Sequence, residues 1–217
     1  MLNYQQQDSW EFVPSSLQSP IAIETERTER KVVEKEPLTF MTDYVFESVL
    51  NKGNNLQFNG RGKMQLNGRN FKFQQLHFHI PAEHILNGKT FPMEWHFVHQ
   101  NAIGQTVVVA FFVEIGNDNS LLRPFYEEKK TKENQQQKFE YRLPMSDLLK
   151  GKTQNAYNYL GSLTTPPLSR GVEWWVFQQP LFISESQFSA LKNNFSGNAR
   201  EKQKIAGRKV VFYKDAF

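Results

Sequence analysis

Short segments in which apolar and polar residues alternate follow one another along the chain, punctuated by Gly, Pro and Asn. A period of two sends successive side chains to opposite faces of a strand. The pattern therefore predicts strands at Ala22 to Glu26, Leu38 to Thr42, Val45 to Leu50, Asn55 to Phe58 and Met64 to Leu66. Further strands are expected at Phe71 to His79, Glu94 to Gln100, Thr106 to Ile115 and Val172 to Phe177. Helical signals are fewer. Ser146 to Leu149 has room for one turn, and Ser184 to Asn193 reads as a helix capped by Ser184, with Gln187 three residues on. The charges and glutamines of Tyr126 to Phe139 suit an exposed helix or an irregular excursion equally. With no internal repeat and no linker, residues 1–217 read as a single β-dominated domain.

Composition supports a packed core: 39 % of the residues are apolar and 14 % aromatic, with 19 Phe among them. The net charge of +4 comes from 26 basic and 22 acidic residues, interleaved as on a solvated face. Four cations fall together between Lys202 and Lys209, but no stacking aromatics or recognition helix accompany them, so nucleic acid is not an expected partner. The longest apolar run, Val107 to Val113, is too short to span a bilayer, so no membrane partner is expected either. The start MLNYQQQDSWEF lacks the basic head and apolar stretch of a secretory signal, which points to a cytoplasmic protein. Because the chain has no cysteine, any metal must be held by His and carboxylate.

All five histidines lie between His77 and His99. In Gln75-Leu76-His77-Phe78-His79, strand periodicity puts Gln75, His77 and His79 on one face and Leu76 and Phe78 on the other. The segment from Glu94 to Val98 repeats the alternation, with Glu94, His96 and Val98 on one face. Asn87-Gly88 offers a turn between the two segments. If the strands pair, His96 comes opposite the first two histidines, and three neutral nitrogens converge from two rigid elements. Three such ligands leave one tetrahedral position free, as in catalytic rather than structural zinc sites. Gln75 and Glu94, two residues before His77 and His96, are placed to accept the second ring N–H of a ligand and fix its tautomer. His84 and His99 read as structural. Taken singly, each histidine is an ordinary strand residue; the constellation carries the metal reading.

Four segments then resemble the α-class carbonic anhydrases of bacterial type: QSPIAI at Gln18 to Ile23, LHFHIPAEH at Leu76 to His84, EWHFVHQN at Glu94 to Asn101 and YLGSLTTPP at Tyr159 to Pro167. Weaker echoes continue at Gly171 to Trp174, Asn198 to Arg200 and Gly207-Arg208, so the likeness covers nearly the whole chain. The resemblance implies a mainly β domain, with a large, mostly antiparallel twisted sheet, short peripheral helices and a conical cavity ending at the metal. It implies Zn2+ held by His77, His79 and His96, and reversible hydration of carbon dioxide to bicarbonate by zinc-bound hydroxide. It further implies that Thr164 and Glu83 orient that hydroxide, with Asn198 standing behind the ligands beside Gln75 and Glu94. Val98, Val108, Leu163, Thr165, Val172 and Trp174 would line the carbon dioxide pocket. The expected partner is thus a small molecule.

The sequence departs from the family where a histidine commonly shuttles the proton out: aligning Leu50 to Asn54 puts Asn54 there, and asparagine cannot titrate near neutral pH. Impaired proton shuttling is therefore expected. Leu17 and Leu168 stand near the places where secreted bacterial relatives often carry a disulfide. Two other readings compete. Some members have lost a zinc histidine and keep the fold as a catalytically inactive binding module, but this chain retains all three. Ester hydrolysis by the same metal centre would be a side activity.

Overall fold

In the computed structural model, residues 2–11, 15–32, 36–127, 131–150 and 155–214 are described. Two neighbouring strands hold the histidines: β7 (Arg69–His79) and β10 (Met93–Gln100) pair antiparallel, with His96 directly opposite His77 and Glu94 opposite His79. On one side of this pair lie β4 (Tyr44–Asn51), β5 (Leu56–Arg61) and β12 (Gln136–Leu143), in the order β12-β4-β5-β7. On the other side run β11 (Thr106–Ile115), β14 (Arg170–Ile183), β13 (Ala156–Ser162), β15 (Val211–Tyr213) and β2 (Glu29–Lys31). A branch in which β6 (Lys63–Leu66) pairs with the start of β7 and β3 (Leu38–Phe40) pairs with β6 completes a sheet of 12 strands among the described residues. Most pairings are antiparallel, as expected; β11 with β14 and β15 with β2 are parallel.

The sheet divides two apolar cores, and its central strands feed both. Along β11, Val107, Val109, Phe111 and Val113 enter one core, while Val108, Ala110 and Phe112 enter the other. A strand covered on both faces reads as a continuous apolar run, which is why Thr106 to Ile115 shows little alternation. The first core is rich in Phe: Phe58 meets Phe125 edge-on with ring centres 4.9 Å apart. Phe125 belongs to the short helix α1 (Arg123–Glu127), and two more short helices follow, α2 (Met145–Leu149) and α3 (Glu185–Phe195). The Ser184 side chain accepts from Gln187 N while the Gln187 side chain accepts from Ser184 N, the reciprocal cap legible in the sequence. No helix among the described residues is long and apolar enough to cross a membrane.

Several expectations need correction. The strand expected over Ala22 to Glu26 is only β1 (Ala22–Ile23), because Thr25–Arg27 forms a 3-10 turn. Asn87 and Gly88 do form a turn, with φ of 49° and 77°, but it joins β8 (Ile85–Leu86) to β9 (Lys89–Thr90) rather than β7 to β10. With β1 these two make a separate small sheet. The undecided stretch from Tyr126 to Phe139 divides between the end of α1 and the edge strand β12, with 128–130 outside the described residues.

Candidate metal centre

The strand pair brings the three histidine rings together on one face, as the alternation requires. Ring centres are 5.1 Å apart for His77 and His79, 5.2 Å for His77 and His96, and 4.8 Å for His79 and His96. One ligand atom from each of the three can be chosen so that all lie within 4.8 Å of one another. His79 and His96 are buried and His77 is half-buried.

Each ring has one nitrogen already engaged. His77 Nδ1 meets Gln75 Oε1 at 2.9 Å, His79 Nδ1 meets the Asn198 carbonyl at 2.7 Å, and His96 Nε2 meets Glu94 Oε1 at 2.9 Å. These three oxygens can only accept, so each ring donates its N–H to them and keeps its lone pair on the other nitrogen. The lone pairs thus fall on Nε2 of His77, Nε2 of His79 and Nδ1 of His96. His79 Nε2 is buried without a hydrogen-bond partner, an orphan that a metal ion would satisfy. Burial, then the neighbouring rings, hold the pKa of His77 well below the ordinary histidine value, and burial likewise lowers His79. Both are neutral at pH 7, the state in which imidazole binds a metal. The residues therefore fit zinc.

Glu94 does more than expected. Besides His96, its carboxylate takes His84 Nδ1 at 2.6 Å and the backbone N–H groups of Glu83 and His84 at 2.9 and 2.8 Å. Burial alone would raise its pKa, but the His84 and His96 rings outweigh that and hold it well below the usual carboxylate range. His84 Nε2 in turn lies 2.7 Å from the Tyr159 hydroxyl, which donates to Ser19 Oγ at 2.8 Å. His84, Glu94 and His96 also form a second group close enough to hold a metal ion, while His99 shares a 2.6 Å bond with the buried Tyr44 hydroxyl.

Asn198, fully buried, ties the ligands to the chain's C-terminal part. Its carbonyl takes His79, its Oδ1 accepts from Ile80 N at 2.7 Å, and its Nδ2 donates to Phe78 O at 3.1 Å and Asn54 O at 2.9 Å. Glu83 Oε1 accepts from Arg200 N at 2.8 Å, a support that no sequence pattern announced. Glu83 Oε2, buried 4.0 Å from His96 Nδ1, has no hydrogen-bond partner. The Thr164–Glu83 hydrogen bond that the resemblance implies is thus not formed here; Thr164 is buried in the turn after β13.

Of the expected pocket residues, Val108, Val172 and Trp174 belong to the second core, and Val98 and Leu163 pack against it half-buried. The Trp174 ring lies 4.9 Å from the His96 ring, so this apolar wall borders the metal centre. Thr165 is half-buried, and its carbonyl accepts from Leu168 N. Asn54 donates its side-chain N–H to Leu2 O at 3.3 Å.

Comparisons with known proteins identify the family. The family model for eukaryotic-type carbonic anhydrase matches residues 5–213. Alpha carbonic anhydrase 4 of Arabidopsis thaliana is 32 % identical over 205 residues, covering 90 % of this chain and 74 % of its own. A carbonic anhydrase of Pectobacterium carotovorum is 32 % identical over 182 residues, covering 81 % and 73 %. Among solved structures, the α-carbonic anhydrase of Photobacterium profundum superposes with a TM-score of 0.79 at 32 % identity, covering 90 % of this chain and 89 % of that one. The chain belongs to the eukaryotic-type carbonic anhydrase family, whose general activity is the hydration of carbon dioxide.

Proposed function

We propose that this protein binds zinc through His77, His79 and His96, hydrates carbon dioxide reversibly, and exports its proton slowly. The observation that carries the reading is the division of labour on each ring: one nitrogen fixed by an acceptor, the other left free toward its two neighbours. Held by three nitrogens, zinc supplies the Lewis acidity that makes water a nucleophile at neutral pH.

The surrounding residues then have distinct tasks. Gln75, Glu94 and the Asn198 carbonyl keep the ligand rings in one tautomer and orientation. Glu83 Oε2 is a buried oxygen without a donor in the structure, and by the family likeness the Thr164 hydroxyl would supply one. Once Thr164 donates to Glu83, its oxygen can only accept, which selects one orientation of the attacking water. Val98, Val108, Leu163, Val172 and Trp174 offer an apolar wall for carbon dioxide, with Thr165 at its edge. Asn54, whose amide donates to Leu2 O, does not titrate near neutral pH and so cannot relay a proton. No observation favours an inactive binding module.

Two measurements check this. Stopped-flow hydration of carbon dioxide should vanish on chelation and return with added zinc, and His77→Ala should lose both metal and activity. Activity that survives either treatment refutes the metal-centre reading. For the proton, imidazole buffer should raise the maximal rate, and Asn54→His should raise it in weak buffer. If neither does, Asn54 is not the limiting position.

A further inference from the structure

Residues 198–201 belong to no helix or strand, yet they hold two site residues. On their inner side the Asn198 carbonyl takes His79 Nδ1, and Arg200 N donates to Glu83 Oε1. Their outer side faces the 3-10 turn at Tyr4–Ser9, where the half-buried side chain of Gln7 bridges the gap. Gln7 Nε2 donates to Ala199 O at 3.2 Å and to Tyr4 O at 3.0 Å, and Gln7 Oε1 accepts from Glu201 N at 2.9 Å. One amide thus satisfies the carbonyl and the N–H on either side of Arg200, the pair of bonds that a neighbouring strand would otherwise supply. The alternation along this short strip completes the picture: groups at 198 and 200 turn inward to the site, and groups at 199 and 201 turn outward to Gln7.

We propose that Gln7 is a positioning residue for the metal centre, clamping from outside the backbone strip that aims His79 and Glu83. The inference rests on the metal-centre reading. Without the clamp the strip keeps its inner bonds and the Arg200 guanidinium bonds to Gln18 Oε1 and Ser19 O, both 2.7 Å, but its outer side is free to shift. A shift there moves the acceptor of His79 and so misaligns one of three ligands.

The test is the rate at which the zinc-loaded protein gives up its metal to a chelator, measured with the melting temperature of each variant. Groups bonded directly to ligands change metal affinity by roughly 10- to 100-fold. Gln7 stands one bond further out, so Gln7→Ala should speed metal loss by a smaller factor, about 3- to 10-fold. Gln7→Glu keeps the acceptor for Glu201 N and should fall between. Asn3→Ala removes the cap that Asn3 Oδ1 gives Gln5 N in the same turn, leaves the clamp intact, and should lose metal at the wild-type rate. Metal loss in Gln7→Ala within twofold of wild type overturns the proposal, as does an equal effect from Asn3→Ala. Hydrogen exchange in the metal-free protein separates this failure from that of the metal reading. If the wild-type chain takes up no zinc, the metal reading fails and this proposal with it, although faster exchange of the Glu201 amide in Gln7→Ala would still show the clamp.

Discussion

His99 shows what burial does to a titratable side chain outside the candidate metal site. Burial presses its pKa from 6.5 down to about 3, so the ring stays neutral in the folded chain across most of the acid range. In the unfolded chain it protonates below about 6.5. His99 therefore costs no stability above that pH, and as pH falls from 6.5 toward 3 stability drops by about 1.4 kcal/mol per pH unit. His99→Gln should flatten the pH dependence of urea unfolding by that slope between pH 4 and 6, whatever it does to stability at pH 7. An unchanged slope would show that the ring is protonated in the fold. The residues legible in the sequence were those whose chemistry lies in side chains at strand spacing: His77, His79, His96, Gln75 and Glu94. The bonds that escaped are made by main-chain groups. The carbonyl of Asn198 and the N–H of Arg200 carry no side-chain signature, and the second contacts of Glu94 depend on a loop whose path only the fold reveals.

At the level of elements, β13 was missed as a strand although part of it was quoted as a motif, because Asn158 and Gly161 interrupt its apolar pattern. Gly161 is required there: a Cβ would overlap Ser19 Oγ and approach the Tyr159 ring to 2.9 Å and Trp174 to 3.2 Å. Overpacking of this kind typically costs about 1–3 kcal/mol. Gly161→Ala should lose about that much in equilibrium unfolding and disturb the Ser19–Tyr159–His84 bonds behind Glu94, lowering zinc affinity as well. Wild-type stability and metal binding would refute this. The edge strand β12 escaped for the opposite reason, since its exposed positions carry Gln, Lys, Glu and Arg, which read as loop or helix surface. By contrast α3 was legible because a reciprocal cap is a local device, complete within four residues.

For the whole molecule, metal binding and folding are linked. On the proposed function, a zinc ion held only by the folded arrangement of β7 and β10 would stabilise the protein in proportion to the logarithm of its concentration over its dissociation constant, by about 2.7 kcal/mol at a hundredfold excess. For a domain of this size that corresponds to a rise in melting temperature of roughly 5–10 °C. Calorimetry of metal-free and zinc-loaded protein should show the difference, and His77→Ala should abolish it.

The support that Asn198 gives His79 also bears on how the protein is made. All three histidines are part of the chain once residue 96 is synthesised, but the carbonyl that fixes His79 and the N–H that holds Glu83 are added about a hundred residues later. A nascent chain halted between these points has Gln75 and Glu94 for His77 and His96 but lacks the acceptor for His79. Metallation during synthesis would therefore meet a loosely held His79, and the centre would be completed late, when the C-terminal strip docks.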